Sequence, residues 1–222
     1  MDYIIYPEIF KNKGVMAFFT GKSPGADIEK ISAITGVSKE KIYMPIQRHT
    51  AEVVELPEDM SSVVADSVIT NRRGVLVGVK VADCVPILLY SKTHISAIHA
   101  GWRGTAKGIL LKTIKKILTH SKPEDILIAI GPSIRWCCYK VGEDVLDAVV
   151  LATGKGDYYI EKEGSLCLDL PTANLYQATS LGILRKNIWL SEECTYCNPQ
   201  RFHSYRFAKD HSGRQAGFIG II

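Results

Sequence analysis

No stretch of this chain reaches the roughly eighteen unbroken apolar residues that a membrane-spanning helix needs, although 46% of its 222 residues are hydrophobic. That excludes a helical span and leaves a composition suited to a buried core. Charge of one sign is also scarce. Lys and Arg number 27 against 23 Asp and Glu, a formal charge of +4 that no block of like charges gathers. A nucleic-acid surface or a basic membrane patch is therefore not indicated, and Lys112, Lys115 and Lys116 read as a solvated helix face. Low-complexity tracts, internal repeats and Pro/Ser-rich linkers are absent, so one domain over 1–222 is expected. The opening "MDYIIYPEIFKNKG" carries acidic Asp2 and Glu8 and lacks a basic region before an apolar run. It does not read as a secretory signal. The expectation is a cytoplasmic protein with reduced thiols, in which the six cysteines are thiols or metal ligands rather than a disulfide framework.

What is present is an alternation of short strands and helices. "VMAFFT", "SVIT", "HISAIHA", "ILIAIG", "SLCLDL", "NIWL", "FHSYRF" and "QAGFIGII" read as strands. "KIYMPI" reads as a strand interrupted by Pro45, and "GVLVGVKVADCVPILLY" as strand with a break near Asp83. Helices are predicted from Asp27 as N-cap to Gly36, over Ile109 to Leu118 on its 3.6-residue apolar spacing, over "GEDVLDAVV", and from Pro171 onward. The gap from Tyr90 to Ile95 is of hairpin length and predicts antiparallel pairing. The expected class is α+β, with helices packed on mainly antiparallel or mixed sheets.

Three side chains stand where a strand gives way to a loop: His49 after "KIYMPIQR", Cys84 in "VADCVP", and His99 at the end of "ISAI". The hairpin brings Cys84 and His99 side by side. Two imidazoles and a thiol are zinc-type donors, and three protein ligands leave a fourth position for water or substrate. The same pair also fits a metal-free thiolate and base. The spacing, His-x34-Cys-x14-His, is no compact zinc motif and depends on the fold to bring the three together. A buried cysteine is otherwise a small core residue.

"ADCVPILLY", "HAGWRGTAKGI", "IGPSIRWCCYKVGEDV", "CTYC" and "HSYRF" together resemble the YfiH-like (laccase-domain) family. Its members carry the names laccase-domain protein, polyphenol oxidase, peptidoglycan-editing factor and purine nucleoside phosphorylase. The resemblance runs from about Gln47 to the C-terminus. It implies an α/β/β/α arrangement of two mixed sheets flanked by helices, similar to the catalytic domain of deamidating bacterial toxins. It also implies a metal held by His49 of "Gln47-Arg48-His49", Cys84 of "ADC" and His99 of "HAGWRG", with Zn²⁺ as cofactor and Cu²⁺ as a second candidate. Two departures are evident. "FFTGKSPG" has Lys22 where the family carries an arginine and a Gly-Gly-Val-Ser turn, and Phe207 stands where the family has a second arginine.

The activity the resemblance implies is phosphorolysis of purine nucleosides, adenosine or inosine plus phosphate giving ribose 1-phosphate and free base, with adenosine deamination as a second activity. The partners are then a small-molecule purine nucleoside and phosphate. Planar guanidinium forks suit phosphate, which makes Arg48, Arg103 and Arg206 the substrate-binding candidates. Cys84, His99 and Asp83 are the catalytic candidates, with Asp83 expected to orient His99 or another ligand, or else to close a turn. Trp102 is read as a pocket wall or a packing anchor, and Gly101 and Gly104 as turn formers, Gly104 opening the next helix.

Two other readings compete. One is a cysteine hydrolase or amidase with Cys84 as nucleophile and His99 as base, acting on a peptidoglycan precursor. The other is copper-dependent phenol oxidation, for which no His-x-His pair exists among six scattered histidines. Cys194-Thr195-Tyr196-Cys197 reads as structural, since no second C-x-x-C completes a zinc knuckle. Cys137 and Cys138 are expected to face opposite ways in an extended segment, and Cys167 to lie in the core. His94, His120 and His211 are expected to be solvated.

Overall fold

The computed structural model describes residues 2–221. Its strands are β1 (Ile4–Ile5), β2 (Val15–Thr20), β3 (Ile42–Tyr43), β4 (Val53–Glu55), β5 (Ser67–Thr70), β6 (Leu76–Val81), β7 (Val85–Tyr90), β8 (Ile95–Ala100), β9 (Leu127–Ile130), β10 (Lys140–Val141), β11 (Tyr159–Lys162), β12 (Ser165–Leu168), β13 (Ile188–Leu190) and β14 (Gln215–Ile221). The helices are α1 (Ile28–Thr35), α2 (Trp102–Ala106), α3 (Ile109–Ile117), α4 (Glu143–Thr153), α5 (Leu170–Ser180) and α6 (Tyr205–Ala208). Among the described residues no helix is long and apolar enough to cross a membrane.

Two mixed sheets form the centre, one ordered β1-β2-β14-β6-β3 and the other β13-β9-β7-β8-β5-β4. The period-2 alternation of strand side chains sorts the core into three layers. Phe19, Val77, Val79, Leu88, Ala97 and Ile219 meet between the sheets. Phe18, Leu76 and Phe218 turn outward to pack under Ile31 of α1. Val85, Ile87, Leu89 and Ile98 face Ile109, Leu110 and Ile114 of α3, with Val149 of α4 and Ala173 of α5 beside them. The result is the expected α/β/β/α order. Burial of these chains, roughly 1.5–3 kcal/mol for each Val, Leu, Ile or Phe, is the main force holding the layers together.

The helix ends follow their sequence signals. Asp27 accepts from the amides of Glu29 and Lys30, and Gly36 closes α1 in the left-handed region. Pro171 stands second rather than first in α5, because Asp169 is the N-cap and accepts from Thr172 N.

Elsewhere the structure corrects an expectation or supplies its cause. "FHSYRF" is not a strand: Ser204 Oγ accepts from Phe207 N and starts α6, a local side-chain bond that competes with extension. The break near Asp83 is a crossover, since β6 belongs to one sheet and β7 to the other. Gly104 lies inside α2, whose N-cap is Gly101.

Candidate metal centre and active-site cavity

The β7–β8 hairpin pairs Pro86 with His99 and Val85 with Ala100. Cys84, one residue before β7, therefore stands beside the end of β8 and next to His99. His49 arrives from the loop between β3 and β4. The ligand atoms of His49, Cys84 and His99 all lie within 4.8 Å of one another. Cys84 Sγ is 3.9 Å from His49 Nε2, and the two imidazoles meet edge to face with centroids 4.8 Å apart. The sequence expectation that these three converge is met in the fold.

A residue that the sequence reading passed over holds two of them. Asp66 precedes β5, and the antiparallel register Ser67↔Ile98 sets it opposite His99. Its carboxylate is fully buried, and Oδ1 lies 2.6 Å from His99 Nδ1. The same carboxylate accepts from the backbone amides of Arg48, His49 and Thr50, and from the Thr50 hydroxyl. Three successive N–H groups turned onto one anion form a nest, and His49 adopts φ 55° within it. Burial opposes ionisation of Asp66, but the bonds from His99 and Thr50 outweigh it and hold the carboxyl well below its ordinary range. An ionised carboxylate can only accept, so His99 Nδ1 carries the proton and, in the neutral ring, Nε2 is left as the free lone pair. Gln47 braces the loop from the other side: its Nε2 donates to Lys80 O and its Oε1 accepts from Lys80 N, both at 2.8 Å.

Asp83 makes no hydrogen bond to His99. Its backbone takes φ 82° at the crossover, and its carboxylate accepts from Thr195 Oγ1 at 2.7 Å and from Arg206 N at 2.7 Å. It closes the turn that presents Cys84, and the orienting carboxylate is Asp66 instead. Gly101 is needed for space rather than for an unusual φ. A Cβ there would stand 3.0 Å from Cys84 Sγ and 3.2 Å from His49 Cδ2.

The electrostatics are those of a coupled pair. Burial raises the Cys84 thiol, but His99 and His49 outweigh this and bring it down to about 6. Burial lowers His99, but Cys84 and Asp66 raise it to about 9. Without metal the pair is thus a thiolate beside an imidazolium. The donor set itself, two imidazoles and a low-lying thiol with the small residue Gly101 keeping the space beside them clear, fits a zinc-type ion.

These donors line a cavity of about 910 Å³, of the size that takes a small organic ligand. Arg103 and Arg206 line it, as do Lys80 and Arg214, which the motifs did not single out. Arg48 is exposed and lies outside the lining, as do Lys22 and Phe207. Phe207 instead packs edge-on against Tyr196. Arg103 lies over the Trp102 ring at 4.3 Å and Arg206 over Tyr139 at 5.2 Å. Burial raises the Tyr139 phenol to about 12. Four cations, two tryptophan- and tyrosine-backed, therefore face one carboxylate, Asp83, already bonded elsewhere. Outside the cavity, His94 and His120 stack on each other at 4.9 Å, and Cys167 is buried in β12.

The α/β/β/α fold and the His, Cys and His donor set at the hairpin end are what the resemblance to the laccase-domain family implies. A family model described as "Multi-copper polyphenol oxidoreductase laccase" matches residues 25–222, and the chain belongs to that family. It is 39% identical over 183 residues to a purine nucleoside phosphorylase of Aquifex aeolicus (strain VF5), covering 82% of this chain and 83% of that one. Two solved structures are similar. YlmD from Geobacillus stearothermophilus superposes with a TM-score of 0.86 at 28% identity, over 96% of this chain and 93% of the other. The Bacillus licheniformis protein YfiH gives 0.87 at 25% identity, over 96% and 94%.

Proposed function

We propose that this protein is a zinc-dependent purine nucleoside phosphorylase, converting adenosine or inosine and phosphate to free base and ribose 1-phosphate. The observation that carries the reading is the juxtaposition of a three-donor site with four cationic side chains around one cavity of about 910 Å³. The name of the Aquifex aeolicus relative supports the same reaction class. Phosphorolysis makes a bond from a phosphate oxygen to the anomeric carbon as the carbon–nitrogen bond to the base breaks. It needs a held anion, a flat surface for the base and shelter from water. Arg103 and Arg206, each backed by an aromatic ring, are assigned to phosphate, with Lys80 and Arg214 adding positive potential. Trp102 and Tyr205 are assigned to the base. Asp66 fixes the His99 ring and its tautomer, and Asp83 fixes the turn that carries Cys84.

Zinc held by His49, Cys84 and His99 would supply Lewis-acid polarisation at the cavity floor, which also suits hydrolytic deamination of adenosine as a second activity. Base release from inosine should require phosphate and disappear in His99→Ala. Release that ignores phosphate overturns the assignment.

One alternative has an observation in its favour. Cys84 stands beside His99 at the hairpin end, with its sulfur 3.9 Å from His49 Nε2, the placement of a nucleophile and its base as an amidase acting on a peptidoglycan precursor would use. Full activity after chelation, with a covalent adduct at Cys84, would select it. The copper-dependent phenol oxidase reading is weaker. Among the described residues only one donor group contains histidine, whereas a multicopper relay needs several such centres.

A further inference from the structure

A second set of donors lies outside the cavity. Cys137 and Cys138 lie in a turn between β9 and β10, where Cys138 N and Tyr139 N both donate to Arg135 O. That turn, rather than an extended segment, sends both sulfurs to one side. They meet Cys194 and Cys197 from the loop after β13, and the four sulfurs lie within 4.8 Å of one another. Cys197 Sγ is 3.2 Å from Cys138 Sγ and 3.6 Å from Cys137 Sγ. Sulfurs bound tetrahedrally to one zinc at about 2.3 Å stand about 3.8 Å apart, and none of the four is in a disulfide.

The two loops are joined without help from the sulfurs. Ser133 and Cys194 form an isolated bridge, and Thr195 N donates to Ser133 O at 3.0 Å. Arg135 bonds Ser191 O at 2.7 Å and Asp169 at 2.9 Å. Inside the C-x-x-C turn, Asn198 donates to Cys194 O through both its backbone and its side-chain nitrogen. Four soft donors are therefore preassembled on two pinned loops. The adjacent pair Cys137-Cys138 supplies the half that a second C-x-x-C supplies in a zinc knuckle.

We propose that Cys137, Cys138, Cys194 and Cys197 bind a second metal ion, zinc(II), as a closed tetrathiolate that clips the β9–β10 turn to the loop after β13. Binding one Zn²⁺ turns four thiols into thiolates and releases four protons to solvent. With every coordination position filled by protein the ion does no chemistry on substrate. Its effect is positional, because Thr195, between two of the ligands, donates to the Asp83 carboxylate that fixes the Cys84 turn.

Zinc analysis of protein purified under reducing conditions from zinc-supplemented cells tests this. The expected content is about two ions per chain in the wild type and about one in His49→Ala/His99→Ala. Cobalt(II) exchanged into the histidine variant should give the intense near-ultraviolet thiolate-to-cobalt absorption of an all-sulfur site. Cys194→Ser/Cys197→Ser should lose that second ion. One zinc per chain in the wild type together with none in the folded histidine variant overturns the proposal. So does a second ion retained in the cysteine variant, iron in place of zinc, or a disulfide from Cys197 to Cys138 in non-reducing peptide maps. The histidine variant keeps all four cysteines, so misfolding of the cysteine variant does not decide the matter. The phosphorylase assignment stands or falls separately, on the phosphate dependence of base release from inosine.

Discussion

Asp66 Oδ1 lies 2.6 Å from His99 Nδ1, and the same carboxylate gathers the amides of Arg48, His49 and Thr50. One buried anion thereby sets two imidazoles that are far apart along the chain. Asp66→Asn keeps the volume but puts an amide where only an acceptor fits. It should lower zinc affinity about 10–100-fold, read by competition with a chelator. Asp66→Ala leaves a buried ring and three amides unpaired and should cost about 3–5 kcal/mol of stability, read by denaturant unfolding. Zinc affinity unchanged in both variants would remove Asp66 from its orienting role.

Gly101→Ala tests the space beside the donors. The backbone there has an ordinary φ of −71°, so the fold should survive. The added methyl would press on Cys84 Sγ and His49 Cδ2 at 3.0 and 3.2 Å. Zinc retention is expected to fall by about tenfold or more while the unfolding midpoint of the metal-free protein changes little. Wild-type retention would show that the donors do not need that space.

Arg206 and Arg48 separate cavity from surface. Arg206→Gln keeps the backbone amide that Asp83 accepts from and removes the guanidinium. The KM for phosphate should rise about tenfold, the loss of one charge-assisted contact, with kcat less affected. Arg48→Gln, outside the lining, should leave phosphate KM near wild type. A larger effect at Arg48 than at Arg206 would reverse the assignment.

Metal removal should expose the thiolate. In chelator-treated protein the Cys84 thiol, brought down to about 6, is ionised above that value. Iodoacetamide should therefore label it with a midpoint near pH 6, far below the ordinary thiol range. His99→Ala removes the main favourable charge, and the midpoint should move up. Added zinc should protect Cys84 at every pH, as measured by peptide mass spectrometry. Labelling of the zinc-loaded protein as fast as of the stripped protein would argue against Cys84 as a ligand.

Local signals in the chain sufficed for most of the elements. The short apolar run "VMAFFT", the cap pair Asp27 and Gly36, and the hairpin gap after Tyr90 depend on neighbours a few residues apart, and each appears where expected. The hairpin also brings Cys84 to His99 by counting along two strands. Where a local bond competed with extension, at Ser204 and its α6 helix, the strand reading failed. The motif residues located the His, Cys and His set because the family resemblance carried them.

What the linear sequence determined, then, was the element menu and the donor triad. Which carboxylate serves His99 was decided only by the pairing of β5 with β8, which sets Asp66 opposite it and leaves Asp83, next to Cys84 in sequence, facing Thr195 and Arg206. The meeting of Cys137-Cys138 with Cys194 and Cys197, and the choice of Arg103, Arg206, Lys80 and Arg214 over Arg48 for the cavity wall, were decided the same way. Periodicity and caps are short-range, whereas register and the packing of one sheet on another join residues dozens of positions apart, and no local pattern encodes that partner.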